Sequence, residues 1–368
     1  MERCEGVVAS VAALKLGASG DRRGQRPRGV RECTGDGASQ RRRGGIYGTS
    51  LKNCAKTIGS GWGLRCASID IGTNSILLLI ADVSRDGQII PVIDLQRIPR
   101  LGRGLDEHGR LSADSVERAL SVLSEYRSIV DAYSVDRVVA VGTRALREAS
   151  NPELLLDAAR RRLAVEIEII SGEDEAVWTY RGAVSGITTA GESPPRFLAI
   201  DIGGGSTEFT IGTATDVLRA LSTPLGAVRV AEKFFRSDPP SVAEIETAMD
   251  VIRAALQESR LMAAGARGLS VVGIGGTVTT LAAIRQNLRD YDPTRIEGFT
   301  LTRHDVEELS AQLGRMKLEE IRNIPQVSAG REDVLFAGSL ILRETMRFFD
   351  IGTLRVSDRG LRYGMILR

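Results

Sequence analysis

Two stretches lying 131 residues apart repeat one pattern, and that repeat limits the fold more than any other feature. Ser68–Ile69–Asp70–Ile71–Gly72–Thr73–Asn74–Ser75 returns as Ala199–Ile200–Asp201–Ile202–Gly203–Gly204–Gly205–Ser206. In each copy an apolar run delivers an Asp, a turn follows, and a Ser opens a second apolar run. That is the signature of a strand, a tight turn and a returning strand. A supersecondary unit repeated at this distance points to a duplicated domain. The expected fold is therefore α/β, with two related domains whose hairpins face each other across a cleft.

The rest of the chain alternates strands and helices in the same sense. Strands are expected at 66–71, 76–83 and 89–96. Ser112 then caps a helix to about 133, with Val116, Leu120, Leu123 and Ile129 as its apolar positions. A strand at 137–141, a helix at 152–163, a strand at 165–170 and a helix opening at Gly172 complete the first domain, 66–190. Gly191–Pro195 reads as a linker. The second domain, 191–368, is expected to hold strands at 197–202, 206–212 and 216–222 and helices at 226–236 and 241–264. A buried strand at 269–274 then leads into a helix at 275–289. Helices at 304–314 and 331–348, a strand at 353–357 and a last helix from Asp358 follow, the last helix being placed to return to the first domain.

Charge is divided unevenly. Residues 1–65 carry 13 Lys/Arg against 5 Asp/Glu, which leaves 36 against 42 for the remainder of the chain. This basic, Gly- and Arg-rich extension has no sustained apolar periodicity, so it buries too little surface to offset its ordering entropy and is expected to be disordered. An upstream translation artefact or dispensable extension is the favoured reading, over a polyanion-binding tail or a transit peptide. Cys4, Cys33, Cys54 and Cys66 show no metal-ligand spacing, and His108 and His304 are the only histidines. A His-rich metal centre is excluded and a reduced, cytoplasmic setting is expected. No run reaches the ~18 apolar residues of a membrane helix.

The turns suggest the chemistry. Glycine leaves backbone N–H groups uncovered, and successive N–H groups in a turn make a concave anion site to which a Ser hydroxyl adds a donor. Gly72, Thr73, Asn74 and Ser75 form one such turn, and Gly203, Gly204, Gly205 and Ser206 the other. Asp70 and Asp201 end the strands, where carboxylates hold Mg²⁺ directly or through water. Glu208 returns beside Asp201 and is read with them as a metal or water-positioning group. Gly275, Gly276 and Thr277 open a helix after a buried strand, a third phosphate-binding element. Glu175 shares one helical face with Thr179, Gly182 and Gly186, small residues that let a ligand or strand approach.

These three glycine elements resemble the phosphate and adenosine loops of the actin/sugar-kinase/Hsp70 superfamily, whose domains have an actin-like, ribonuclease H-like fold. Residues 140–151 (AVGTRALREASN), 169–176 (IISGEDEA), 201–208 (DIGGGSTE), 100–105 (RLGRGL) and 356–364 (VSDRGLRYG) narrow the match. Together they resemble the exopolyphosphatase/guanosine pentaphosphate phosphohydrolase family in its short two-domain form. The resemblance implies that Glu175 positions and activates the attacking water, that Asp201, Gly203 and Glu208 belong to the active site, and that Arg147 contacts phosphate. It implies Mg²⁺-dependent, processive release of terminal phosphate from polyphosphate, or hydrolysis of guanosine pentaphosphate. An ordinary carboxylate pKa near 4.3 makes Glu175 a water-orienting group more than a base. Two other readings stay open: a small-molecule kinase of the same superfamily, and a non-catalytic sensor of polyphosphate or an alarmone. No membrane or specific nucleic-acid partner is expected, and a homodimer is implied by the resemblance alone.

Overall fold

The structure, a computed structural model, describes residues 63–187 and 196–368, apart from Asp86, Leu261 and residues 263–267. The basic extension up to residue 62 and the 191–195 linker lie outside the described residues. Two mixed sheets organise the rest. The first holds β1 (Arg65–Ile71), β2 (Ile76–Val83), β3 (Ile89–Arg97), β4 (Arg137–Gly142) and β5 (Ile167–Ile169), in the order β3-β2-β1-β4-β5. The second holds β6 (Phe197–Ile202), β7 (Thr207–Gly212), β8 (Val217–Thr223), β9 (Ser270–Ile274), β10 (Thr300–Thr302) and β11 (Thr353–Val356). Its order, β10-β11-β9-β6-β7-β8, repeats the first from β8 to β11 and adds β10 at one edge. In both, the opening hairpin is antiparallel and its first strand pairs in parallel with the fourth, β1 with β4 and β6 with β9.

Helices cover these sheets. In the first half they are α1 (Leu105–His108), α2 (Ala113–Ala132), α3 (Arg144–Glu148), α4 (Glu153–Leu163) and α5 (Gly172–Ile187). The second half supplies α6 (Ala227–Phe234), α7 (Val242–Leu256), α8 (Gly276–Arg285), α9 (Pro293–Ile296), α10 (Arg303–Leu313), α11 (Leu318–Arg322), α12 (Leu335–Phe348) and α13 (Leu361–Ile366). Ser112 caps α2 by accepting from the Ser115 amide at 3.2 Å. Val116, Leu120, Leu123, Tyr126 and Val130 then fall on one stripe that packs on the first sheet. Burying each such aliphatic side chain contributes ~1.5–3 kcal/mol. α7 is closed at its start by reciprocal Ser241 and Glu244 bonds, and the Ser237 hydroxyl, with the Ser241 and Arg236 amides, holds the Glu244 carboxyl down at about 2.

Several short elements escape the periodicity of the sequence: α1, α3, α9, α11 and β10 span only three to five residues each, too few for a repeating pattern. The helix expected over 241–264 runs from Val242 to Leu256 and passes into a 3-10 turn at Gln257–Ser259, and the one expected from 331 starts at Leu335, because 328–334 form a turn first.

Two helices cross over. α5 lies in the first half of the sequence, yet its Tyr180, Ala183 and Val184 pack with Phe197, Ala199 and Ile274 of the second sheet. α13 ends the chain, yet Tyr363 and Ile366 pack with Cys66 and Leu79 of the first, and the Ser68 hydroxyl donates to the Arg362 carbonyl at 2.7 Å. The two helices cross at glycines: a Cβ on Gly364 would lie 1.8 Å from the Trp178 carbonyl oxygen, and one on Gly182 would lie 2.2 Å from that of Gly360. The small face of α5 thus receives the last helix. Among the described residues no helix is long and apolar enough to cross a membrane.

Candidate active site

Both repeated hairpins close in the same way. The Gly72 amide donates to the Ser75 carbonyl at 2.9 Å, and the Gly203 amide to the Ser206 carbonyl at 2.9 Å. The outward carbonyls of each turn are tied from behind by the loop that follows the third strand. Asn74 and Thr73 accept from the Arg100 and Gly102 amides at 3.0 and 2.8 Å, and Gly203 and Gly204 accept from the Ala227 and Val228 amides at 3.0 and 2.7 Å. The turns meet: a Cβ on Gly204 would stand 3.3 Å from that of Asn74 and 3.4 Å from that of Thr73.

Beside them opens a cleft of about 660 Å³. Its walls include Asp70, Gly72, Thr73, Asn74, Ser75, Glu175, Asp201, Gly203, Gly204, Gly205, Ser206, Gly275, Gly276 and Thr277. Fourteen of the sixteen residues singled out in the sequence therefore share one cavity. Arg147 and Glu208 are the two that do not line it. Arg147 stands behind Glu175 and donates to its Oε2 at 3.1 Å and to the Ile170 carbonyl at 2.9 Å. Glu208 is the register partner of Asp201 across the hairpin, only 3% exposed, and accepts from the Ser222 hydroxyl at 2.6 Å. A smaller cavity of about 250 Å³ shares Thr73, Asn74, Val228 and Val334 with the cleft. It is lined by Phe235, Met316 and Phe336 together with Arg100, Arg103, Glu232 and Asp333, and none of Asp70, Glu175 or Asp201 reaches it.

Glu175 opposes the ionisation of the other three acids. Burial is the first cause in each case, because a low-dielectric site disfavours the charged form. Asp70 is pushed up to about 8 by burial, then by Glu175 and Asp201. Asp201 is pushed up to about 7 by burial and then by Glu175. Glu208 stands well above the usual range despite bonds from Ser222 and Ser206. Glu175 is also raised, burial outweighing the opposing pull of Arg147, Arg144 and Thr143. The expectation of an ordinary pKa for Glu175 is thereby corrected, and a raised carboxylate is a stronger base.

Two further arginines line the cleft wall. Arg144 opens α3, is 3% exposed, and is braced by Glu148 at 2.8 and 2.7 Å. Its guanidinium lies where a Cβ on Gly205 would be, 2.2 Å away. Arg331 lies against Gly276 in the same manner, at 1.6 Å, and burial pulls its pKa down. Among the described residues its guanidinium has no hydrogen-bond or ion-pair partner, so its donor fork is open to the cleft. Nothing local marks Arg331, which sits in an irregular turn 130 residues beyond Asp201. The two glycines were legible as backbone donors, and the structure adds that they make room for arginines.

No three Asp, Glu, His or Cys side chains among the described residues are grouped closely enough to form a metal cage. Asp70 nonetheless keeps a buried Oδ1 without a hydrogen-bond partner, and Asp201 Oδ1 is pressed against Gly275.

The Ppx/GppA phosphatase family model matches residues 79–368. The chain is 32% identical over 315 residues to exopolyphosphatase 2 of Mycobacterium tuberculosis, across 82% of this chain and 98% of that protein. Among solved structures, it resembles the Ppx/GppA family member of Aquifex aeolicus, with 33% identity, a TM-score of 0.68, and coverage of 83% and 96% of the two chains. It also resembles an exopolyphosphatase from Cytophaga hutchinsonii, with 26% identity, a TM-score of 0.76, and coverage of 82% and 96%. The two-sheet architecture is the actin-like fold of these proteins.

Proposed function

Because the chain belongs to the Ppx/GppA phosphatase family, we propose that it hydrolyses terminal phosphate from inorganic polyphosphate, Mg²⁺-dependently and processively, with guanosine pentaphosphate as a second substrate. The observation that carries this reading is the meeting of Glu175, Asp70 and Asp201 with both glycine turns in one cleft. Transfer of phosphate to water needs charge neutralisation and in-line positioning more than covalent help. Amide groups of the two turns and the open fork of Arg331 bind the phosphate oxygens. Glu175, held by Arg147 at 3.1 Å, orients the attacking water and accepts its proton, a task that its raised pKa favours.

The donor set fits Mg²⁺, which is commonly held by one or two carboxylates, its own waters and substrate phosphate, and needs no three-ligand cage. Asp70 and Asp201 would hold it, and it would neutralise charge on the transferring group. Glu208 pairs with Asp201 across the hairpin without lining the cleft, and supports that strand end in place of serving as a ligand. The two halves are read as the two domains of a short-form, cytoplasmic enzyme, with a homodimer as its assembly.

The test is phosphate release by the purified protein with Mg²⁺ from tripolyphosphate, long polyphosphate and guanosine pentaphosphate. Glu175→Gln serves as the control and is expected to bind tripolyphosphate while losing ~10²-fold or more in turnover. Glu175-dependent release establishes the hydrolase, and the rate order ranks its substrates. Wild-type turnover in the variant would remove Glu175 from the mechanism, and tight binding without release would replace the enzyme with a sensor.

A further inference from the structure

The 100–105 segment (RLGRGL) matched the family pattern but has no part in the chemistry described above. It leaves β3 and passes behind the first phosphate turn. Its amides at Arg100 and Gly102 hold the Asn74 and Thr73 carbonyls at 3.0 and 2.8 Å, and a Cβ on Gly102 would lie 2.4 Å from the Thr73 methyl. The Arg100 side chain turns the other way, across to the second half of the molecule. Its Nη1 and Nη2 donate to the two carboxylate oxygens of Asp333 at 2.6 and 2.7 Å, and Nη2 also donates to the Gly330 carbonyl at 3.0 Å. Arg331, whose fork lines the cleft, stands between those two partners in sequence.

Three features make this more than a surface ion pair. The contact is bidentate and partly shielded, with the side chains of Arg100 and Asp333 at 22% and 35% exposure, the geometry in which an Arg–carboxylate pair adds orientation as well as energy. Arg100 has a φ of 55°, a left-handed conformation that a non-glycine residue keeps only when its surroundings enforce it. Gly330 has a φ of 89° and is packed against Ile98, 3.1 Å from where its Cβ would be. The chain is bent on both sides of the contact to make it. A pair at a free surface would need neither bend.

We propose that Arg100 is a positioning residue for hydrolysis, its main chain holding the 72–75 turn and its guanidinium holding the 330–333 segment. One residue thereby fixes the spacing between the amide donors of one half and the Arg331 donors of the other. This rests on the cleft being a phosphate site. A misplacement of about 1 Å between such donors can cost ~10²-fold in rate, so loss of the link is read mainly in kcat.

The experiment compares full-length wild type with Arg100→Ala, Asp333→Ala, the double variant and Arg100→Lys. It measures kcat and KM for tripolyphosphate with Mg²⁺, thermal midpoints, and amide hydrogen exchange over 71–77 and 328–334. Each alanine variant should lose about tenfold or more in kcat with a midpoint near that of wild type. The double variant should lose no more than about twofold beyond the worse single, since both substitutions break one link. Arg100→Lys should recover part of the rate, and exchange should quicken in both segments for every alanine variant. Losses that multiply in the double, rates within twofold of wild type, or faster exchange in one segment only would overturn the proposal. If the wild type releases no phosphate, the hydrolase reading fails separately, and unchanged exchange in the singles would still sink the link.

Discussion

The two hairpins repeat one design but present different groups. β1–β2 and β6–β7 share the Asp, the same Gly-to-Ser closure and the same support of their turn carbonyls from behind. Among their differences, one register position bears on charge. Asp70 faces Leu77 across its hairpin, whereas Asp201 faces Glu208. The first copy thus offers one carboxylate with a bare, buried Oδ1, and the second offers a carboxylate backed by another acid. The repeated design gives matching turn closures, and the Leu77/Glu208 difference sets a second acid beside only one of the two aspartates.

The equivalence of the two Asp residues is the first point to break. Asp70→Asn and Asp201→Asn should each reduce Mg²⁺-dependent phosphate release by ~10²-fold, since both remove charge that has to be in place before the reaction. A variant that keeps wild-type turnover would show that the site uses one hairpin only.

The inequality is tested through pH. Both aspartates are raised, Asp201 to about 7 and Asp70 to about 8, so below those values each binds a proton in competition with a cation. Mg²⁺ affinity and turnover should therefore climb as pH rises through 7 to 8. Stability without cation runs the other way. An unfolded Asp titrates near 3.8, so the folded state holds extra protons between there and about 8, and its stability falls as pH rises across that window. Glu208 is itself held well above the usual range, so Glu208→Gln preserves its neutral form and should leave the acid limb of the activity profile in place and overall turnover within about tenfold. A limb that moves to lower pH would show that Glu208 carries charge beside Asp201.

The smallest effects concern the supports of the two turns. A Cβ on Gly226 would meet Gly205 backbone at 2.3 Å, whereas one on Gly102 would meet the Thr73 methyl at 2.4 Å. Backbone cannot yield and a side chain can rotate. In chemical denaturation Gly226→Ala should cost about 1–3 kcal/mol, and Gly102→Ala about 1 kcal/mol or less. The reverse order would mean that the first turn is the more rigidly held.

Much of this molecule was written locally. The β1 and β6 hairpins, the Ser112-capped helix and the 3.6-residue stripe of α2 follow from neighbours in sequence, because turns, caps and amphipathic faces are made by residues a few positions apart. The acids and glycines of the cleft were legible for the same reason: each sits on a turn or strand end whose form its neighbours dictate. What the chain order could not show is which distant groups meet. Arg147, expected at phosphate, meets the Glu175 carboxylate, Glu208, expected on a metal, is the register partner of Asp201, and Arg331 carried no local mark at all. The crossing of α5 and α13 onto each other's sheets, and the reach of Arg100 to Asp333, are likewise contacts between segments far apart in sequence. Short-range sterics and periodicity settle the hairpins and the chemistry they carry. The pKa values and the partners of each charge come from burial and long-range packing, which exist only once the two sheets are brought together.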